Sequence, residues 1–305
     1  MNLSISTAPH IRGKDSVQSI MLDVLIALLP TTIAGVYYFG KNALLLVVIC
    51  VATAVLSEFL WSKLANRPNS VKDLSAAVTG LILALNLPAG APWWMGVIGS
   101  AVAIIIVKQL FGGIGDNFLN PALAARAVLL TSWPAAMTTF TMPNYFNTVD
   151  AATTATPLDG LEASIPDLIL GRIPGSIGEV CKIAILIGFI YLLARHVISW
   201  QVPVIFLGTT ALLCWAFGSN PITSVLSGGV MFGAIFMATD YTTSPMTAKG
   251  QVIFAVGCGL LVAVIRSFGI YPEGVTYSIL LMNIMTPLID KYIAPKLYGE
   301  VKKNA

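Results

Sequence analysis

Runs of about 17 to 25 apolar residues recur along this 305-residue chain, and each is long enough to cross a ~30 Å hydrocarbon core as a helix. Backbone amides inside a bilayer have no water to bond, so only helices or a closed barrel can carry such runs. A barrel is excluded because its strands alternate polar and apolar residues, and these runs do not. The fold class is therefore an all-α polytopic membrane protein. About ten segments are expected, at roughly 17–39, 43–62, 74–88, 92–111, 119–133, 179–199, 201–218, 222–239, 250–268 and 274–293. The third and fifth are short and meet the breaks Asn86-Leu-Pro88 and Asn117-Phe-Leu-Asn-Pro121. Such half-helices persist only where protein or a polar cavity satisfies the freed backbone, so they mark where a site would form.

The organisation is set by these runs. Residues 1–16 read as a cytoplasmic N-terminal segment, 17–133 as a first membrane repeat, 134–178 as a loop, 179–293 as a second repeat and 294–305 as a basic tail. The first run is too long, and lacks a small-residue cleavage site, to be a signal peptide; it is expected to be retained as a span. With the N-terminus inside, twelve of the seventeen Lys and Arg residues fall on the cytoplasmic side, leaving Lys41, Arg126, Arg172, Lys182 and Arg266 outside or within the membrane. The C-terminus then lies inside as well, and the 134–178 loop, with Asp150, Asp159, Glu162 and Asp167, lies outside. A weak repeat supports two units of opposite orientation, a 5+5 inverted arrangement. Pro88 precedes Lys108, Phe111-Gly112 and Asp116 at nearly the spacing by which Pro245 precedes Arg266, Phe268-Gly269 and Glu273.

Only 10% of the residues are charged, so polar clusters stand out. His10 and His196 are too far apart to suggest a metal centre. Cys50, Cys181, Cys214 and Cys258 lie singly without C-x-x-C spacing, so neither a zinc site nor a cluster held by this chain alone is supported. Asp23, Glu58 and Arg126 sit inside runs where an ionised group costs at least ~2.5–3.5 kcal/mol unless paired or wetted. Asp23 is the candidate for an ion path; a buried Arg–carboxylate pair that fixes helix packing, or a terminal charge snorkelling to the interface, is the alternative, and the favoured reading for Glu58 and Arg126. Two loops are more polar than packing requires. Phe111-Gly-Gly-Ile-Gly-Asp-Asn-Phe-Leu-Asn-Pro-Ala122 offers two amides, suited to a flat heteroaromatic group, and Ala238-Thr-Asp-Tyr-Thr-Thr-Ser-Pro-Met-Thr247 offers Asp240 beside Ser and Thr hydroxyls. Neither is a Rossmann turn or a P-loop, and no nucleic-acid partner is indicated. The segment Asp150-Ala-Ala-Thr-Thr-Ala-Thr-Pro-Leu158 puts hydroxyls between a carboxylate and a proline on the outer side, where something polar is held or attached.

These blocks, with Ala8-Pro-His10, Lys108-Gln-Leu-Phe and Arg266-Ser-Phe-Gly followed by Pro272-Glu-Gly274, Asn283 and Pro287-Leu-Ile-Asp290, resemble the D-subunit family of Rnf complexes. That family is akin to the B subunit of the sodium-pumping NADH:quinone reductase, whose longer N-terminal extension is missing here. The resemblance runs over essentially the whole chain. It implies FMN joined through its phosphate to a threonine in a motif Asp-x-x-(Ser/Thr)-small-Ala-Thr, matched by Asp150, Thr153, Ala155 and Thr156, with Thr156 as the acceptor. Thr154 departs from the small residue common in that motif. A flavin transferase acting outside the cytoplasm would attach the group. The resemblance also implies a non-covalent riboflavin in the cytoplasmic half, with Asn117, Asn120 and Asp240 as its hydrogen-bonding residues; helix capping is the competing role for the two asparagines.

By the same resemblance the chain is expected to be a membrane subunit of an ion-translocating ferredoxin:NAD+ oxidoreductase, in the cytoplasmic membrane of a bacterium or archaeon. Its expected partners are the A, B, C, E and G subunits of the Rnf complex. It would relay electrons through the flavins while Na+ or H+ moves, and would neither oxidise ferredoxin nor reduce NAD+ alone. A non-redox channel or transporter of the urea- or ammonium-channel kind is the alternative, since broken inverted repeats build those too; a scaffold without cofactor is a third.

Overall fold

A computed structural model of the chain describes residues 16–67, 70–143, 163–269 and 274–293. These residues form helices, with one isolated bridge between Pro88 and Ser176. The first half holds α1 (Val17–Phe39), α2 (Lys41–Leu64), α3 (Ser75–Leu85), α4 (Trp93–Ala101, running on as a π-helix over Val102–Gln109) and α5 (Pro121–Ser132). Two short helices come next, α6 (Pro134–Thr138) and α7 (Ile165–Leu170). The second half holds α8 (Lys182–Ala194), α9 (Gln201–Ala216), α10 (Pro221–Leu226), α11 (Val230–Phe232, running on as a π-helix over Gly233–Met237), α12 (Ala248–Phe268) and α13 (Val275–Ile293). Nine of the ten expected apolar runs map onto one of these elements each, and the run over 222–239 falls on two, α10 and α11. Among the described residues α1, α2 and α12 are long and apolar enough to cross a membrane, and several of the other apolar helices are shorter.

Local chemistry sets the ends. Ser16 caps α1 in a reciprocal pair with Ser19, and Thr247 accepts from the Gly250 N–H at the start of α12. Both α5 and α10 begin Asn-Pro: the asparagine oxygen takes the first free N–H groups, and proline fills the position whose N–H has no helical partner. The run expected over 222–239 is broken, a break the sequence did not single out. Ser227-Gly228-Gly229 separates α10 from α11, and Gly228 takes φ +62°, which a side chain would resist.

Helix pairs close on small residues, as packing without a hydrophobic drive requires. Against α1, α8 brings Gly188 so near that a Cβ there would lie 2.3 Å from Ala27 O; against α2, Gly80 of α3 is as tightly set on Cys50 O. Helix α9 packs on α12, α12 on α13, and α5 on α13. The outer faces of α1 and α2 expose Leu22, Ile33, Leu44 and Val48, whereas the core gathers around Leu83, Leu123, Phe206 and Phe254.

The last part of the connection before α8, within the loop expected over 134–178, runs into the bundle. Residues 173–180 are all buried. Their backbone pairs with the end of α3, Gly178 N–H to Leu85 O at 2.7 Å and Ile177 N–H to Leu87 O at 3.1 Å. Glycine is needed at 178, because a Cβ would come within 2.6 Å of Leu85 Cβ.

Candidate functional site

Asn120 ends the glycine-rich loop after α4 and caps α5, accepting from Ala122 N–H at 3.1 Å and Leu123 N–H at 3.3 Å. Its side-chain amide is left facing the turn after α11, where it donates to Met237 O at 3.4 Å and to Asp240 Oδ2 at 3.3 Å. Asn117 donates to Leu119 O at 3.0 Å and to Thr242 Oγ1 at 3.4 Å. Asp240 in turn accepts from the Thr242 N–H at 3.1 Å and hydroxyl at 2.9 Å. So Asn117, Asn120 and Asp240, from two loops far apart in the chain, come together, and Asn120 is both cap and cross-link. With its amide turned to satisfy both neighbours, Asn283 of α13 accepts from the Asn120 N–H at 3.2 Å.

These residues border a cavity with about 760 Å³ of empty space, mouth included. Its walls are Ile82, Leu192, Ile235 and Phe236, and polar groups of Ser75, Lys108, Thr239 and Thr242 reach it alongside the two asparagines and Asp240. Apolar walls with a few convergent polar groups are the chemistry that suits a flat organic ligand. Burial pushes the Asp240 carboxyl above its ordinary range, against the smaller opposing pull of its hydrogen bonds from Thr242 and Thr243.

Behind the Lys108 wall lies a network the sequence reading missed. Glu58, fully buried, accepts at one oxygen from Lys108 Nζ at 2.9 Å, Gln109 Nε2 at 2.8 Å and Ser70 Oγ at 2.7 Å. Lys108 also donates to Ser75 Oγ, which bonds Asp73. Glu58 thus has the packing role expected of it, with Lys108 as its partner. A lysine near the end of an otherwise apolar run was the available signal.

The other intramembrane charges are also engaged. Asp23 faces α8, where Arg195 Nη2 lies 3.1 Å from Oδ2 and Tyr191 Oη 2.8 Å from Oδ1; it is brought to the cavity's flank, between the lining residues Met21 and Val24, and not into the polar cluster. Arg126, 4% exposed, donates to Asn86 Oδ1. Lys182, 1% exposed, donates to Glu179 O and to Gly228 O. Among the described residues no group of His, Cys, Asp and Glu is arranged to hold a metal ion. Asp150, Thr153 and Thr156 lie outside the described residues.

A model of the NQR2, RnfD, RnfE family matches residues 4–299. The chain is 52% identical to the D subunit of the Na+-translocating ferredoxin:NAD+ oxidoreductase complex of Acetobacterium woodii, covering 100% of this chain and 98% of the relative. It is 44% identical to the D subunit of the proton-translocating ferredoxin:NAD+ oxidoreductase complex of Clostridium ljungdahlii, over 97% and 96% of the two chains. Against the D subunit of the ion-translocating oxidoreductase complex of Escherichia fergusonii the identity is 37%, over 99% and 100%.

Proposed function

The chain belongs to the NQR2, RnfD, RnfE family, and from that premise we propose that it is the D subunit of an ion-translocating ferredoxin:NAD+ oxidoreductase. It sits among the other subunits of that complex in the cytoplasmic membrane, and carries electrons through the bilayer while Na+ or H+ is moved. The observation that carries the redox part is the cavity closed by Asn117, Asn120 and Asp240. A riboflavin fits its chemistry: apolar walls for the ring system, amides and hydroxyls for the ring edge and the polyol. When bound, a flavin supplies one- and two-electron redox chemistry. This chain's own part is to bind and orient it. The Asn117 and Asn120 amides present donors, Asp240 presents an acceptor, and Ile82, Ile235 and Phe236 keep water from one side.

The second flavin of this reading is FMN, esterified through its phosphate to Thr156 in the Asp150–Thr156 motif on the exoplasmic side. A tether keeps a carrier beside its redox partner at high effective concentration. Support for ten spans in two inverted units comes from the pairing of corresponding helices across the halves, α1 with α8 and α5 with α13. It comes too from short helices at matching places, α3 and α11. A non-redox channel would need neither the threonine motif nor the amide cluster, and the full-length relatives are named as oxidoreductase subunits.

The test uses protein made in its native host or beside a flavin transferase. After denaturation and electrophoresis the wild-type band fluoresces as a flavin, the Thr156→Ala band is dark, and Thr156→Ala complex still releases riboflavin on denaturation. A dark wild-type band removes the covalent FMN, and absence of released riboflavin removes the cavity's assignment.

A further inference from the structure

The ends of two short helices meet in this bundle, and a fixed positive charge stands where they meet. Helix α3 stops at its cap residue Asn86, whose amide nitrogen lies 3.4 Å from the Met237 sulfur, and Met237 is the last residue of the π-segment of α11. Helix C-termini carry about half a negative charge each, and discontinuous membrane helices use such ends to attract cations. Here Arg126 reaches in from α5 and donates to the Asn86 oxygen. The cavity lies on one side: Ile82, on its wall, is one turn before Asn86 and accepts from the same amide at 2.7 Å. Beyond, Leu85 O and Leu87 O take the N–H groups of the inserted segment 173–180, which leads on to the buried side chains of Ser176, Glu179 and Lys182. Arg126 therefore lies at the C-terminal end of α3, with the cavity wall at Ile82 one turn away and the inserted segment bonded to the last carbonyls of the helix.

We propose that Arg126 is the cation barrier of this subunit: its guanidinium occupies the place where the helix ends would hold a mobile cation, and seals the bundle against Na+ and H+ when no electrons flow. The inference rests on the reading of the chain as part of an ion translocase and adds the residue that prevents slip. A fixed arginine in a pore raises the electrostatic cost of a passing cation. Lysine would preserve the charge; glutamine and alanine would not.

The experiment is passive flux. Purified complex in liposomes, without electron donor, is loaded against a Na+ or H+ gradient and the leak followed with an internal dye. Arg126→Ala and Arg126→Gln are expected to leak roughly tenfold or more above wild type, Arg126→Lys to stay near wild type, and added guanidinium to close the Arg126→Ala leak, which a mere folding defect would not allow. If Arg126→Ala does not assemble, Arg126→Gln, which keeps a donor toward Asn86, decides alone. Assembled charge-removing variants as tight as wild type overturn the proposal, as does a leak equal in Arg126→Lys and indifferent to guanidinium. Because the leak needs no electrons, it is judged apart from the parent reading, which fails instead if wild-type complex given reduced ferredoxin and NAD+ moves no cation.

Discussion

Lys108 Nζ and Glu58 Oε1 lie 2.9 Å apart with both side chains at most 3% exposed, joining the end of α4 to the C-terminal part of α2 beside the cavity. The pair is not there because ion pairs are strong in apolar surroundings; desolvating both charges offsets most of what their attraction returns. Its value is positional. Glu58 gathers Lys108, Gln109 and Ser70, and Lys108 in turn holds Ser75, the first residue of α3.

Breaking one side of that pair strands the other charge. Glu58→Gln and Lys108→Met should each destabilise the subunit by about 3–5 kcal/mol, and the double variant should recover much of the loss. Unfolding midpoints in detergent provide the cycle. Losses that simply add would show that the two side chains do not act as a unit.

Asp23 and Arg195 are a different case, because the arginine side chain is 55% exposed while the carboxylate is 11% exposed. Arg195 is the cap residue at the end of α8 and its side chain is not enclosed by the bundle, so Asp23→Asn and Arg195→Gln should each lose no more than about 1 kcal/mol. The bond partners give Asp23 a packing role between α1 and α8, and the ions moved per electron are expected to be equal in the two variants. A ratio that falls in Asp23→Asn alone would place the carboxylate on the ion route instead.

Much of the fold could be read from the chain because a bilayer leaves so few options: apolar runs of the right length had to become helices, and all but the one at 222–239 did so as single elements. Asn120-Pro121 could be read as a helix start for the same local reason it became one. The polar loops around Asn117 and Asp240 were visible as excess polarity, but that they touch depends on how α11 ends, and its broken start at Ser227-Gly228-Gly229 leaves no mark in an apolar average. Partner choice was equally hidden. Glu58 could be expected to be paired, yet Lys108 reads from the chain as an inside charge and as part of the repeat and family block, when it is buried in the bundle. The segment at 173–180 reads as loop because Pro174, Gly175, Ser176 and Gly178 are loop residues; they are buried because small side chains let the backbone of a turn bond the end of α3.

That close approach makes a local prediction. Gly178→Ala puts a methyl group 2.6 Å from Leu85 Cβ and should cost about 1–3 kcal/mol as the segment is pushed off α3. Gly208→Ala is the control, since nothing lies within 4 Å of its Cβ position in α9 and alanine favours a helix. Midpoints of the two variants should move in opposite directions or only the first should fall.

Asp240 gives the cavity a pH dependence whose sign can be worked out. Burial raises its carboxyl above the ordinary range, so the folded chain holds that proton more tightly than the unfolded chain does. The contribution of the neutral acid is fully present below the ordinary carboxylate pKa of about 4, and it is lost as pH rises through the raised value. Asp240→Asn cannot ionise and keeps its stability over the same interval. Its unfolding midpoint, measured against wild type, should therefore gain as pH climbs from about 4 and level off once the raised pKa is passed. A difference that stays flat across that interval would mean that the two bonds from Thr242, with the Asn120 amide on the other oxygen, outweigh desolvation and hold the carboxylate ionised throughout.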